Sequence, residues 1–469
     1  MKISEEAIKF YKKVFFIALP IAFQSLITIG VNMLDTMMVG KLGKDPLSAT
    51  SLANSFISIF QILCMGLGMG ASVLVSRYWG MERNTENGNA DDAKHALKQT
   101  VCLMLRLDIF LAAVFALATF LIPGIIMRSY TDEEAIISYG IDYFGFSIIT
   151  YFFVGVSLVT TIVLRSVGQV LYPLLVSIGA FAVNLAMNYV FIFGKFGAPE
   201  MGVAGAAFGT LLARIFECSF IFGYLVFIDK KIGFKIKDLF MKTGTILKEY
   251  IRISIPVLVS DAILAFGNNS VAMVIGRSGS TFVAANSITS VTQQLSSVVI
   301  TGVCQAGAIV TGITLGEGNR EKTMKQGYRF FGLGLLLGAL SALFIFLTSD
   351  FIIGFYDNVT VETSVMAKQL MNAICIIVIF QGTNSIMTKG VLRGGGDTTM
   401  LMLADNLFLW VLAIPLGILA GFVFKLPPFW IYICLKSDQI VKTIWAFTRL
   451  RSRKWIKKIS TGRNETEQS

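Results

Sequence analysis

Charge is scarce in this sequence. Of 469 residues only 15% are Asp, Glu, Lys or Arg, while 55% are hydrophobic. A soluble domain carries about a quarter charged residues, so this chain is short of the polar surface that would cover a globule in water. It belongs in a membrane. Histidine occurs once, at His95 in a charged loop, which excludes histidine-based triads and HExxH metal sites. The six cysteines, Cys64, Cys102, Cys218, Cys304, Cys375 and Cys434, stand singly in apolar runs without CxxC or Cys/His spacing. They form neither a zinc site nor a disulfide framework, and free thiols are expected. The glycines of GLGMG at 66–70 mimic a phosphate loop, but no GK[ST] follows and no strand precedes. With no GxSxG elbow either, the chain reads as a non-enzyme that needs no cofactor.

What is present is long apolar runs. They lie at about 14–39, 48–75, 100–122, 138–164, 173–194 and 202–227, and again at about 249–275, 284–315, 330–347, 363–390, 399–424 and 429–447. The runs are continuous rather than alternating, and most reach the ~20 residues of a spanning helix, so they are helices and not barrel strands. Twelve spans are expected. The first follows Lys9, Lys12 and Lys13, but it is too long for a signal peptide and has no small-residue cleavage site before Asp35, so it reads as a retained span.

The basic residues set the orientation. With the N-terminus inside, the inner segments hold 29 of the 40 Lys and Arg, and the outer loops hold six: Lys41, Lys44, Arg128, Lys195, Arg277 and Lys425. That asymmetry predicts a multi-pass protein of the plasma (inner) membrane with both termini cytoplasmic. It also accounts for the net charge of +11 without a nucleic-acid partner. The basic stretch RLRSRKWIKK at 449–458 reads as a juxtamembrane anchor to anionic lipid.

The chain repeats itself. A shift of 236 residues places IALP at 17–20 on ISIP at 253–256 and VGKLG at 39–43 on IGRSG at 275–279. After a loop of different length the shift becomes 228, and Leu164-Arg165 meets Leu392-Arg393, Gly168 meets Gly396, and Arg214 meets Lys442. Six spans per half is an even number, so the repeat is parallel. The expected fold class is an all-α membrane protein of two parallel six-helix lobes about a pseudo-two-fold axis along the membrane normal. The N-terminal lobe is placed at 1–227, a basic cytoplasmic linker at 228–248, the C-terminal lobe at 249–447 and a basic tail at 448–469. Pro20 and Pro256 occupy equivalent places, and each removes one helix bond where an alternating-access helix could bend.

Ionisable and amide side chains inside spans are functional candidates because hydrocarbon makes them costly. Asp35 lies in the first span. Asn184 and Asn188, at i and i+4, share a face of the fifth, and Thr210 lies on the sixth. Together they offer an oxygen-rich cluster that could hold a proton or Na⁺; no other metal site is expected. The second lobe offers Asp261, Gln381, Asn384 and Asp405, a candidate substrate or second-cation site. Arg214 with Glu217, and Asp438 with Lys442, read as structural ion pairs.

The segments ALPIAFQSL, LDTMMVGKLG, GASVLVSRYWG, LRSVGQ, NLAMNYVFIFGKFG and GVAGAAFGTLLAR, followed by IPVLVSD, CQAGAIVTGITLGEGN, FQGTNSIMTKGVLRGGGDT and PPFWIYICLKSDQIVK, carry a resemblance over nearly the whole chain. The sequence resembles the bacterial type of the multidrug and toxic compound extrusion (MATE) family, within the MOP flippase superfamily. That resemblance implies multidrug efflux: export of amphipathic, cationic small molecules in exchange for H⁺ or Na⁺, with Asp35 taking the ion and Asn184, Asn188 and Thr210 beside it. Asp261 falls where many members carry Glu. The QxxD of some branches reads Gln381-Gly-Thr-Asn384 here, so one carboxylate of their second cation site is missing and coupling is expected to run mainly through Asp35, with Asp261 and Asp405 free for a cationic substrate. A monomer is expected. The alternative is a flippase for a lipid-linked saccharide or cell-wall precursor.

Overall fold

A computed structural model describes residues 5–84, 90–277, 279–354 and 360–459, and among them no strand occurs. The first half builds α1 (Glu5–Gly40), α2 (Lys44–Glu82), α3 (Ala90–Leu121), the short α4 (Pro123–Arg128), α5 (Glu134–Ser166), α6 (Leu171–Phe193) and α7 (Gly202–Gly223). The second builds α8 (Gly244–Arg277), α9 (Ser280–Gly316), α10 (Arg320–Gly354), α11 (Val361–Ser385), α12 (Thr398–Leu407), α13 (Ile414–Ile418), α14 (Pro428–Leu435) and α15 (Ser437–Arg451). Wide turns join α11 to 386–392 and fuse α12 and α13 into one helical stretch that ends at Val423.

Among the described residues, eleven helices are long and apolar enough to cross a bilayer. The expected twelfth span is broken. Lys436 interrupts it between α14 and α15, and Asp438 and Lys442 make its second part too polar for a continuous apolar run. Large apolar side chains such as Phe16, Phe110, Phe120, Phe266 and Leu347 project outward, as lipid-facing positions do.

The repeat shows in the backbone as well as in the letters. Gly43 and Gly279, equivalent at the shift of 236, precede α2 and α9 with φ of 121° and 115°. Gly168 and Gly396, equivalent at 228, turn the chain after the span before them with φ of 78° and 86°. A side chain at these angles would collide with the backbone, so both halves keep glycine where both halves make the same turn.

The chain divides into two compact units. One is Phe23–Ile255; the other is Pro256–Ile459 together with the chain up to Ala22. The division falls within two residues of Pro20 in α1 and beside Pro256 in α8, although both prolines lie inside uninterrupted helices. In the first unit a core of Phe60, Cys64, Ala112, Ala116, Tyr151 and Val154 ties α2, α3 and α5 together, with Phe60 and Tyr151 edge to face at 5.0 Å. All six cysteines are unpaired.

The connection after α7 is docked rather than loose. Asp229 accepts hydrogen bonds from the Gln169 side chain and from the backbone of Ile232, whose side chain is buried along with that of Phe234. Lys231 lies over the Trp79 ring, and burial there pushes its ammonium below its usual value while Asp229 opposes the shift. In the second unit, Arg449 forks onto Asp397 at 2.7 and 3.0 Å, Lys457 adds a third cationic contact at 3.5 Å, and Trp455 is fully buried against Gly395. Those residues of the basic stretch at 449–458 are therefore held against protein, which leaves fewer of its charges for lipid than its composition suggests.

Candidate functional site

The first unit contains a cavity of about 620 Å³, a size that holds a drug-sized molecule. Five helices wall it: α1, α2, α5, α6 and α7. Asp35 stands on the α1 wall. Asn188, wholly buried on α6, donates to the Asp35 carboxylate at 2.6 Å and reaches the oxygen of Asn184 at 3.4 Å. Asn184 in turn faces the Thr210 hydroxyl at 3.4 Å. The four residues named from the sequence are thus brought into one chain of polar contacts. The side-chain oxygen of Asn188 is buried against Gly209 and accepts no hydrogen bond, so the amide turns its nitrogen to Asp35.

The approach of α6 to α7 makes this geometry. Gly205 and Gly209 form a GxxxG pair on α7, and small residues let two membrane helices come close. A Cβ at Gly209 would collide with the Asn188 side chain and crowd its backbone; one at Gly205 would strike the carbonyl of Phe191. The motif read from sequence as a family signature is, in the fold, the seat of Asn188.

Arg214 and Glu217 form the ion pair expected of them, at 2.5 Å, but they also line the cavity. The cavity wall therefore carries two carboxylates against one guanidinium, and its excess is one negative charge. Tyr143 and Asn54, bonded to each other at 3.2 Å, line it too. Neither is legible in the sequence, because a lone Tyr or Asn in a span gives no signal until the helices are assembled. Asp108 on α3 is 1% exposed, packs against Gly155 beside the Cys64 thiol, and accepts no aligned hydrogen bond.

The four candidates in the second unit do not all come together: Asn384 and Asp405 belong to one network through Gln439, Asp438 and Lys442, while Asp261 and Gln381 have other partners. Asp261 on α8 lies 3.6 Å from Arg393. Gln381 accepts from Gln293, which also receives the Tyr432 hydroxyl. Asn384 donates to Gln439, and Gln439 donates to Asp438. Asp405 pairs with Lys442 at 3.4 Å. Neither Asp261 nor Asp405 is the free carboxylate that the sequence led us to expect, because each has a basic side chain from another helix beside it.

A repeated bundle of membrane-length helices with a polar cavity walled by five of them defines a multi-pass α-helical membrane protein. The chain belongs to the MatE family, whose profile matches residues 20–190 and 256–444. This is a transporter family, not a family of enzymes. The chain is 25% identical to the probable multidrug resistance protein NorM of Thermotoga maritima, over 97% of this chain and 95% of that one. It is 23% identical to the uncharacterized transporter YisQ of Bacillus subtilis, over 94% of each. Among solved structures it is similar to a MATE transporter in a bent conformation, with a TM-score of 0.82 at 19% identity over 97% of this chain and 99% of that one. A MOP superfamily transporter from Pyrococcus furiosus superposes with a TM-score of 0.81 at 20% identity, over 97% and 100%.

Proposed function

We propose that this chain is a secondary active multidrug efflux antiporter that exports amphipathic, cationic small molecules in exchange for H⁺ or Na⁺. The observation that carries the proposal is the cavity in the first unit: large enough for such a molecule, net negative by one charge, and walled by Asp35 with a buried amide donor behind it. Relatives named as multidrug resistance proteins along nearly the full length support the same reading.

In this mechanism a cationic substrate enters from the cytoplasm or inner leaflet and is held by apolar walls and the cavity's excess negative charge. Arrival of H⁺ or Na⁺ at Asp35 cancels that charge and weakens the hold. The ion drives the cycle because its affinity differs between the inward-open and outward-open forms. Pro20 and Pro256 serve as the hinges. The protein works as a monomer in the cytoplasmic membrane, with both termini inside.

A flippase for an anionic lipid-linked precursor would call for a cationic cavity. Arg214 is the one guanidinium on these walls, and Glu217 neutralises it at 2.5 Å, which favours cationic cargo. The test is efflux of a fluorescent organic cation from proteoliposomes under an imposed Na⁺ or H⁺ gradient, comparing the parent with Asp35→Asn. Efflux driven by one ion and lost in the variant is expected; efflux untouched by the substitution would overturn the assignment.

A further inference from the structure

Position by position, the second half of the repeat does not copy the ion cluster of the first. At the shift of 236, Asp35 corresponds to Val271; at 228, Asn184 and Asn188 correspond to Leu412 and Leu416. Polar chemistry appears instead where the first half has Ser177, Thr210 and Arg214, namely at Asp405, Asp438 and Lys442. The Lys442 ammonium lies 3.0 Å from Asp438 and 3.4 Å from Asp405, and the side chains of all three are at most 5% exposed. One ammonium thus lies between two buried carboxylates from different helices. Asn384 joins the same network through Gln439, and one oxygen each of Asn384 and Asp438 is buried there without a hydrogen bond.

A carboxylate buried this deeply stays ionised only with a cation beside it. Here the chain itself supplies that cation. We propose that Lys442 is a tethered ion: its ammonium permanently fills the monovalent-cation position between Asp405 and Asp438, so the second half binds no mobile ion and coupling falls to the Asp35 cavity alone. The inference rests on the reading of Asp35 as the coupling residue, and it deepens that reading by fixing where the coupling ion does not go. An ammonium on four methylenes cannot leave, whereas a free ion can, and that difference separates a structural charge from a transported one.

The experiment is binding of radioactive Na⁺ to the purified full-length chain. It compares the parent, Asp405→Asn, Lys442→Met, and Lys442→Met with Asp405→Asn, each with Asp35 intact and with Asp35→Asn. Loss of the ammonium is expected to create saturable Na⁺ binding, accompanied by stabilisation in Na⁺ over choline. That binding should survive Asp35→Asn and disappear with Asp405→Asn. A folded Lys442→Met variant that gains no Na⁺ binding would overturn the proposal. So would a parent whose Na⁺ binding persists in Asp35→Asn and is abolished by Asp405→Asn. Should Lys442→Met fail to fold, Lys442→Ala purified in n-propylammonium provides the second measurement: recovery of folded protein supports a cation position, and no recovery overturns it. Failure of the Asp35 assignment would show instead as ion-driven efflux by Asp35→Asn, which leaves these binding results unchanged.

Discussion

Asn188 donates a 2.6 Å hydrogen bond to Asp35 across 153 residues of sequence, and no other described hydrogen bond joins α6 to the carboxylate of α1. The bond fixes where the acid sits in the cavity wall without neutralising it. An amide can serve the ionised and the protonated carboxyl alike, which suits a residue proposed to cycle between the two.

Asp35→Asn keeps the size of the side chain and removes its charge. Ion-driven efflux is expected to fall at least tenfold, while the melting temperature moves little, because the hydrogen bond that is weakened was worth about 1–2 kcal/mol. Efflux assays alongside thermal unfolding in detergent separate the two effects.

Gly209→Ala places a methyl group on the Asn188 side chain. Overpacking of this kind costs about 1–3 kcal/mol, and the displaced amide no longer meets Asp35. Both stability and efflux should drop. Gly223→Ala, on the same helix with nothing within 4 Å of the added carbon, should leave both unchanged.

Arg214→Ala leaves Glu217 on the cavity wall without its partner, at a cost of about 2 kcal/mol. The double variant Arg214→Ala with Glu217→Ala should recover most of that loss, so a double-mutant cycle in thermal stability should report favourable coupling. Additive losses would mean that the two groups act independently.

Asp397→Asn weakens the contact that holds Arg449 and Lys457. Trp455 is expected to become accessible to a collisional quencher of its fluorescence, and amides at 452–459 to exchange faster, while the spans keep their protection.

Lys41 and Lys237 are exposed and are assigned to opposite sides of the membrane. In intact cells, with the native cysteines replaced, Lys41→Cys should react with a membrane-impermeant maleimide and Lys237→Cys should not. The reverse pattern would invert the topology.

Much of the fold could be read from the letters because hydrocarbon leaves the backbone one economical choice. Long apolar runs gave the helices, and repeated glycines such as Gly43 with Gly279 gave the register of the two halves. The site was legible where its spacing was local: Asn184 and Asn188 share a face at i and i+4, and Arg214 reaches Glu217 at i+3. It was illegible where helices far apart in sequence meet. Lys442 could be paired by spacing with Asp438, but its second partner, Asp405, lies 37 positions earlier and turns a surface-style ion pair into a buried triad. The break at Lys436 was missed for a related reason. Hydropathy averages a window, and one lysine hides among Trp430, Ile431, Tyr432 and Ile433 until its neighbours are seen to be charged as well.

The two compact units do not coincide with the two halves of the repeat. Each half contributes the opening stretch of its first helix, up to Ala22 or Ile255, to the other half's unit. Cutting the chain in its connecting segment would therefore not liberate two self-sufficient bundles. Each fragment would lack a piece of its own packing and carry a piece of its sibling's, the relation of two protomers that have exchanged an arm. Produced separately, the fragments are expected to be unstable; produced together, each supplies the missing stretch and the pair should reassemble.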